Sequence, residues 1–109
     1  MIISRTPFRI SFFGGGTDFP QWYEKNNGHV ISTTINKYCY INLRKLPPFF
    51  NYKYSFRYKK TETLKNLNKT DHPSIRECLK NFGLNEHGLE LVHHADIPDR
   101  SGIGSSSAF

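Results

Sequence analysis

Two short stretches of this chain hold residues whose types and spacing suit chemistry. In the first, Pro98-Asp99-Arg100-Ser101 leads into Gly102-Ile103-Gly104 and then three serines, Ser105, Ser106 and Ser107. Glycines permit a tight turn and a close approach, because no Cβ stands in the way. The serines bring consecutive backbone N–H groups and short hydroxyls, and Ser-Ala-Phe reads as the first turn of a helix. Unpaired N–H groups and the positive end of a helix dipole would then face the loop, which is what a phosphate needs. The string is not a Walker loop, since no Gly-Lys-Ser/Thr follows. It is not a Rossmann fingerprint either, since the third glycine is missing. Alone, the stretch is a weak signal and reads more readily as a flexible Gly/Ser tail.

The second stretch is Gly14-Gly15-Gly16-Thr17-Asp18. Three glycines after a strand end it and leave a loop whose backbone can touch a ligand. Thr17 or Asp18 can cap a following helix that carries Pro20 in its first turn and Gly28 beyond its end. Both loops follow a strand and precede a helix, so they could face one cleft, one holding a nucleotide phosphate and the other its acceptor.

The elements that must position these loops can be read from periodicity. Residues 1–5 and 8–13 read as short strands around Thr6-Pro7, and residues 28–35 as another. Residues 38–43 alternate, with Cys39, Ile41 and Leu43 on one side, before Pro47-Pro48 breaks the pattern. Residues 52–59 alternate again: Tyr52, Tyr54, Phe56 and Tyr58 stand opposite Lys53, Ser55, Arg57 and Lys59. Residues 61–72 are polar and read as a loop with some helical character. Ser74-Ile75-Arg76-Glu77 is a capping-box pattern, and Ile75, Cys78, Leu79 and Phe82 follow as a helix stripe closed by Gly83. Residues 88–94 form a last strand into the serine loop, placing His93 and His94 on opposite faces. The order β-β-α-β-β-β-α-β-α predicts an α+β fold, with helices on a largely antiparallel sheet.

Composition narrows the function classes. The 109 residues make one domain or part of one, and no apolar run approaches a membrane span. The first residues lack a charged leader with an apolar core, so no signal peptide is expected. Cys39 and Cys78 have no metal-ligand spacing and are expected to be buried, reduced thiols of a cytoplasmic protein. The net charge is +6, and eight of the fifteen Lys and Arg fall in residues 44–69 against one acid, Glu62. Such a segment can bind nucleic acid or a small anion. Here the cations alternate with the aromatics across a strand, which favours a solvated face over a nucleic-acid platform.

Residues 7–19, PFRISFFGGGTDF, resemble the first motif of the GHMP kinases, the family of galactokinase and mevalonate kinase. Residues 98–108 resemble the second, P-x-x-x-G-(L/I)-G-S-S-x-A. The RISFFGGGTD string is typical of the branch that phosphorylates D-glycero-D-manno-heptose 7-phosphate. Galactokinase has Glu-His where this chain has Gly15-Gly16, which points away from galactose and toward a larger or phosphorylated sugar.

The resemblance implies a ribosomal protein S5 domain 2-like fold and an ATP-dependent sugar kinase that transfers the γ-phosphoryl group to the anomeric hydroxyl, in GDP-heptose and capsule biosynthesis. It implies ATP phosphates wrapped by Gly102, Ile103, Gly104, Ser105, Ser106 and Ser107, with the Ser106 hydroxyl reaching Mg²⁺. It places Gly15, Gly16, Thr17 and Asp18 at the sugar, and Arg9 beside the transferring phosphoryl group. Arg5 and Arg100 are weaker candidates for the sugar's own phosphate. The matched residues span the first third of such a kinase, with its catalytic aspartate and third motif downstream, so the 109 residues alone are expected to be inactive. The partners implied are a small phosphorylated sugar and ATP, with neither membrane nor nucleic acid. Two alternatives stand beside this reading: a non-catalytic RNA- or polyanion-binding module, and a pseudokinase fragment.

Overall fold

The computed structural model describes residues 1–98, 101–102 and 108–109. Its strands are β1 (Ile2–Phe13), β2 (Ile31–Lys45), β3 (Tyr54–Arg57), β4 (Thr61–Leu64) and β5 (Leu89–Ala95), in the sheet order β1-β2-β5-β3-β4. Helix α1 covers Pro20–Tyr23 and α2 covers Pro73–Asn81, with 3₁₀ turns at Gly15–Thr17 and Leu67–Lys69. The chain divides into two compact units: Met1–Ser4 with Tyr40–His94, and Arg5–Cys39 with Ala95–Phe109.

The first unit is built around β3. Tyr54, Ser55 and Phe56 are all buried there, so both faces of the strand are covered. β3 pairs antiparallel with β4, Tyr54 opposite Leu64, and parallel with β5, Tyr54 opposite Leu89. The sheet is therefore mixed rather than largely antiparallel. A parallel neighbour needs a crossover, and the stretch from β4 through α2 to β5 supplies it. Leu89 and Leu91 of β5, Ile75 and Leu79 of α2 and Leu67 complete the buried set. The Tyr54 hydroxyl donates to the Asn85 carbonyl, which ties the α2–β5 connection to β3.

Several sequence expectations change. Residues 1–5 and 8–13 form one strand, because Pro7 costs no ladder bond where its missing N–H has no partner strand, and β1 stands at the sheet edge. Residues 28–35 and 38–43 likewise merge into β2. β4 arises where a loop was expected, since its sequence Thr-Glu-Thr-Leu is polar and carries no apolar alternation. Helix α2 is capped by His72 rather than Ser74, because Pro73 needs no N–H partner and fits the first helical position. Only half of the helix stripe is buried: Ile75 and Leu79 point inward while Cys78 and Phe82 are exposed. Cys39 is buried, and burial pushes its thiol pKa up. Cys78 is not the buried thiol expected.

β4 is held by its one acid. Glu62 is buried, 9% exposed, and it accepts hydrogen bonds from the Tyr58 hydroxyl (2.9 Å), the Thr70 hydroxyl (2.6 Å) and the Asp71 amide (3.3 Å). Lys60 lies 2.8 Å from the same carboxylate and also pairs with Asp71. Burial alone would raise the carboxyl pKa. The bonds from Lys60, Thr70, Tyr58 and the Asp71 amide outweigh it and bring the value down to about 2. Burial first, and then the bond to Glu62, raise the Tyr58 pKa. These bonds join the β3–β4 hairpin to the start of α2, where the Tyr58 and His72 rings meet edge to face at 4.9 Å. They also neutralise part of the basic segment, as does the pair of Arg44 with Glu90.

A depressed carboxylate pKa stabilises the fold above its unfolded-state value, near 4.5, and the stabilisation is lost as pH falls toward 2. Denaturant titrations from pH 7 to 2 should therefore show stability falling most steeply below pH ~4.5. Glu62→Gln should be less stable at pH 7 by about 1–3 kcal/mol, with that part of the acid slope removed. An unchanged slope in the variant would disprove the role.

Candidate functional site

The second unit carries the glycine loop, and Gly14 decides its shape. Its φ is +91°, a backbone state that side chains disfavour. A Cβ there would stand 1.8 Å from the His29 carbonyl oxygen and 2.9 Å from the Val30 Cα. The end of β1 and the start of β2 can thus approach only at a glycine. Thr17 closes the loop. Its hydroxyl can donate to the Gly14 carbonyl (2.7 Å) or the His29 carbonyl (3.2 Å), and it accepts from the His29 amide at 3.2 Å. The Thr17 amide also donates to the Gly14 carbonyl at 2.9 Å. Gly28 fits closely too: a Cβ there would meet the Thr17 carbonyl oxygen at 2.9 Å.

Gly15 and Gly16 differ from these. A Cβ on either would meet nothing within 4 Å. They sit in the 3₁₀ turn Gly15–Thr17 and face open space, beside Asp18, whose exposed carboxylate has no hydrogen bond or ion pair among the described residues. The turn thus brings together the predicted residues Gly15, Gly16, Thr17 and Asp18, with the Thr17 hydroxyl committed to the loop itself.

Helix α1 follows directly and is shorter than expected. It has four residues, Phe19 occupies the N-cap position, and no side chain caps it, so neither Thr17 nor Asp18 is a capping residue. Asn26, Asn27 and Gly28 resist helix, and the chain leaves it well before the expected end. Phe19, Trp22 and Tyr23 do not form a buried side; their relative exposures are 62%, 48% and 51%.

Arg9 lies in β1, four residues before its end and about 13 Å of strand from Phe13. Phe8 is buried, so Arg9 projects from the opposite face, with its side chain exposed and without an ion pair among the described residues. Arg5 shares that face by alternation, and its guanidinium lies 3.7 Å from the centroid of the Tyr38 ring. That contact holds it on an aromatic surface. Of the predicted phosphate loop, Gly102 is described: its φ is +74° and its position is exposed. Ile103, Gly104, Ser105, Ser106, Ser107 and Arg100 lie outside the described residues. Just upstream, the Asp96 carboxylate accepts from the Tyr38 amide at 2.8 Å, and the Asp96 amide donates to the Tyr38 carbonyl at 3.0 Å. This anchor joins the segment leading to the loop to β2. No sequence signal marks it, since Asp96 and Tyr38 are far apart along the chain.

The described residues contain no cluster of His, Cys, Asp or Glu that could hold a metal ion. No helix among the described residues is long and apolar enough to cross a membrane.

The loop geometry predicts opposite outcomes for adjacent glycines. Gly14→Ala should cost at least ~1–2 kcal/mol from its left-handed backbone alone, and more from the collision with His29. Gly15→Ala and Gly16→Ala should stay within about 0.5 kcal/mol of the parent. Thermal melts of the three variants check this, and equal losses at all three would show the loop is not built this way.

No protein-family profile matches the chain. It is 32% identical to the D-glycero-alpha-D-manno-heptose 7-phosphate kinase of Campylobacter jejuni, over 97% of this chain and 34% of that protein. In fold it matches a D-glycero-D-manno-heptose 1-phosphate kinase of Bacteroides thetaiotaomicron with a TM-score of 0.79 at 18% identity, over 98% of this chain and 38% of the other. It matches mevalonate kinase with a TM-score of 0.69 at 18% identity, over 99% of this chain and 37% of the other. The chain thus spans about a third of the length of the curated relative it matches. Nearly the whole chain is thus similar in sequence to about a third of a heptose 7-phosphate kinase, and in fold to part of a heptose phosphate kinase and of mevalonate kinase.

Proposed function

We propose that this chain is the nucleotide- and sugar-handling N-terminal part of an ATP-dependent sugar kinase, acting in the cytoplasm on the anomeric hydroxyl of D-glycero-D-manno-heptose 7-phosphate for GDP-heptose and capsule biosynthesis. The observation that carries the reading is the glycine turn. Gly14 and Thr17 hold it against His29, while Gly15 and Gly16 open onto free space beside a carboxylate without a partner among the described residues. That is room for a polyol, with Asp18 to accept its hydroxyl protons in hydrogen bonds. The similarity to a heptose 7-phosphate kinase supports the choice of sugar.

In this reading Gly15 and Gly16 let the sugar approach the backbone and Asp18 orients it. Holding the acceptor hydroxyl in line with the phosphate lowers the barrier by positioning. Arg9, on the strand that delivers the loop, offsets charge on the transferring phosphoryl group. Gly102, Ile103, Gly104, Ser105, Ser106 and Ser107 cradle the ATP phosphates through their N–H groups. Mg²⁺ would be met by the Ser106 hydroxyl, where it supplies charge neutralisation on the phosphates.

Trp22 is the chain's one tryptophan and lies four residues after Asp18, so its emission reports on the turn. Heptose 7-phosphate should change that emission saturably, and galactose should not. Asp18→Asn should weaken the effect about tenfold, in line with a lost charged hydrogen bond. Gly16→Ala, which keeps the fold, should weaken it as well. A second assay fuses residues 1–109 to the remaining two-thirds of the Campylobacter jejuni kinase and measures ATP consumption with each sugar. A folded fusion without turnover, together with no Trp22 response to any sugar phosphate, would overturn the proposal.

A further inference from the structure

The first unit carries a pair of adjoining grooves that the kinase reading leaves unused. One, of about 390 Å³, is lined by Leu46, Pro47, Phe50 and Tyr52 and bordered by Lys53 and Lys65. The other, of about 360 Å³, shares Lys53 and Lys65 and continues over Asn66, Asn68, Asn85 and Lys80. One half is thus apolar and aromatic, the other is lined with amides, and two ammonium groups stand at the seam.

Each part selects a different chemical feature. The Phe50 and Tyr52 rings lie 5.2 Å apart, tilted by 31°, and Phe49 extends the set at 4.5 Å from Phe50. Such a cluster offers a surface on which a planar ring can stack. Lys53 and Lys65 have no ion pair among the described residues, while Lys80 is shared with Glu77 at 3.7 Å. Glu86 is the one acid lining either groove, and the Asn85 amide donates to it at 3.3 Å. The seam therefore carries a local positive excess suited to an anion. Asparagine amides both donate and accept, as sugar hydroxyls do.

We infer that the double groove is a binding site for a mononucleotide, with its base on Phe50 and Tyr52, its phosphate between Lys53 and Lys65, and its ribose toward the asparagines. Each groove has the size of a small-ligand pocket, and neither is an extended channel for a polynucleotide. The site includes Gly88, just before β5 begins at Leu89, and β5 leads away from it for roughly 17 Å of strand as far as His94. It does not depend on the kinase reading.

The test is an NMR titration of the ¹⁵N-labelled chain at low salt with AMP, adenosine, ribose 5-phosphate and inorganic phosphate. AMP should shift the amides of Asn51, Lys53, Lys65, Asn68 and Gly88, and more weakly as salt is added. Phe50→Ala and the double variant Lys53→Gln/Lys65→Gln should each weaken AMP binding about tenfold, while adenosine and ribose 5-phosphate should bind the parent at least about fivefold more weakly than AMP. The lysine variant leaves the buried core untouched, so it remains a fair test if Phe50→Ala perturbs the fold. Inorganic phosphate binding as tightly as AMP, a short RNA displacing AMP at far lower concentration, or no shift at these amides by about 10 mM AMP would each overturn the assignment.

Discussion

A missing side chain at residue 14 sets the geometry on which the rest of the candidate site depends. β1 and β2 are neighbours in the sheet, and the chain between them must leave one, form the glycine turn and α1, and return. The return brings the His29 carbonyl against the Gly14 Cα, into the space a Cβ would occupy. Thr17 then locks the turn from the other side with its hydroxyl. Because those two positions carry the mechanical constraint, Gly15, Gly16 and Asp18 are free of it and present an open backbone and a carboxylate outward. A fixed turn next to an unfilled space is how a small polar molecule can be held without rearranging the protein that holds it.

The other unit follows the opposite logic, with a charge taken inside. Glu62 would be costly to bury alone, yet a lysine, two hydroxyls and an amide surround it. The result is a short polar strand, β4, that owes its place to one carboxylate rather than to an apolar face. The same network reaches residues 70–72, so the edge hairpin and the cap of α2 are one cooperative feature. It also explains how a segment so rich in lysine and arginine stays compact: Lys60 and Arg44 are already paired within the fold. Lys53 and Lys65, which have no ion pair among the described residues, border a groove lined by aromatic rings.

Several features were legible from local letters. The stretch from Ile75 to Leu79 reads as a helix and is one, because an apolar pair four apart is buried on a single face. The alternation from Tyr54 to Arg57 reads as a strand, and the glycine run reads as a loop after a strand. Boundaries and partners were harder. Pro7 looks like a break until β1 is known to stand at the sheet edge. Ser74 looks like a cap until Pro73 opens the helix two residues earlier and leaves His72 to accept from the Ile75 amide. Cys78 fits the helix stripe, yet the sheet covers only part of that stripe and leaves it exposed.

Residue order alone carries the chemistry on offer: two glycine-bearing stretches, an acid beside one and serines in the other, and motifs that resemble those of the GHMP kinases. Those are properties of neighbouring residues, and neighbours interact whatever the rest of the chain does. Tertiary structure alone decided which glycine is indispensable, which carboxylate goes inside, and that β3 runs parallel to β5 and antiparallel to β4. Each of those depends on a group from elsewhere along the chain, His29 for Gly14, Thr70 for Glu62 and Leu89 for Tyr54. Steric exclusion and desolvation act only once such groups are brought within a few ångströms, and no local pattern of residues encodes that approach.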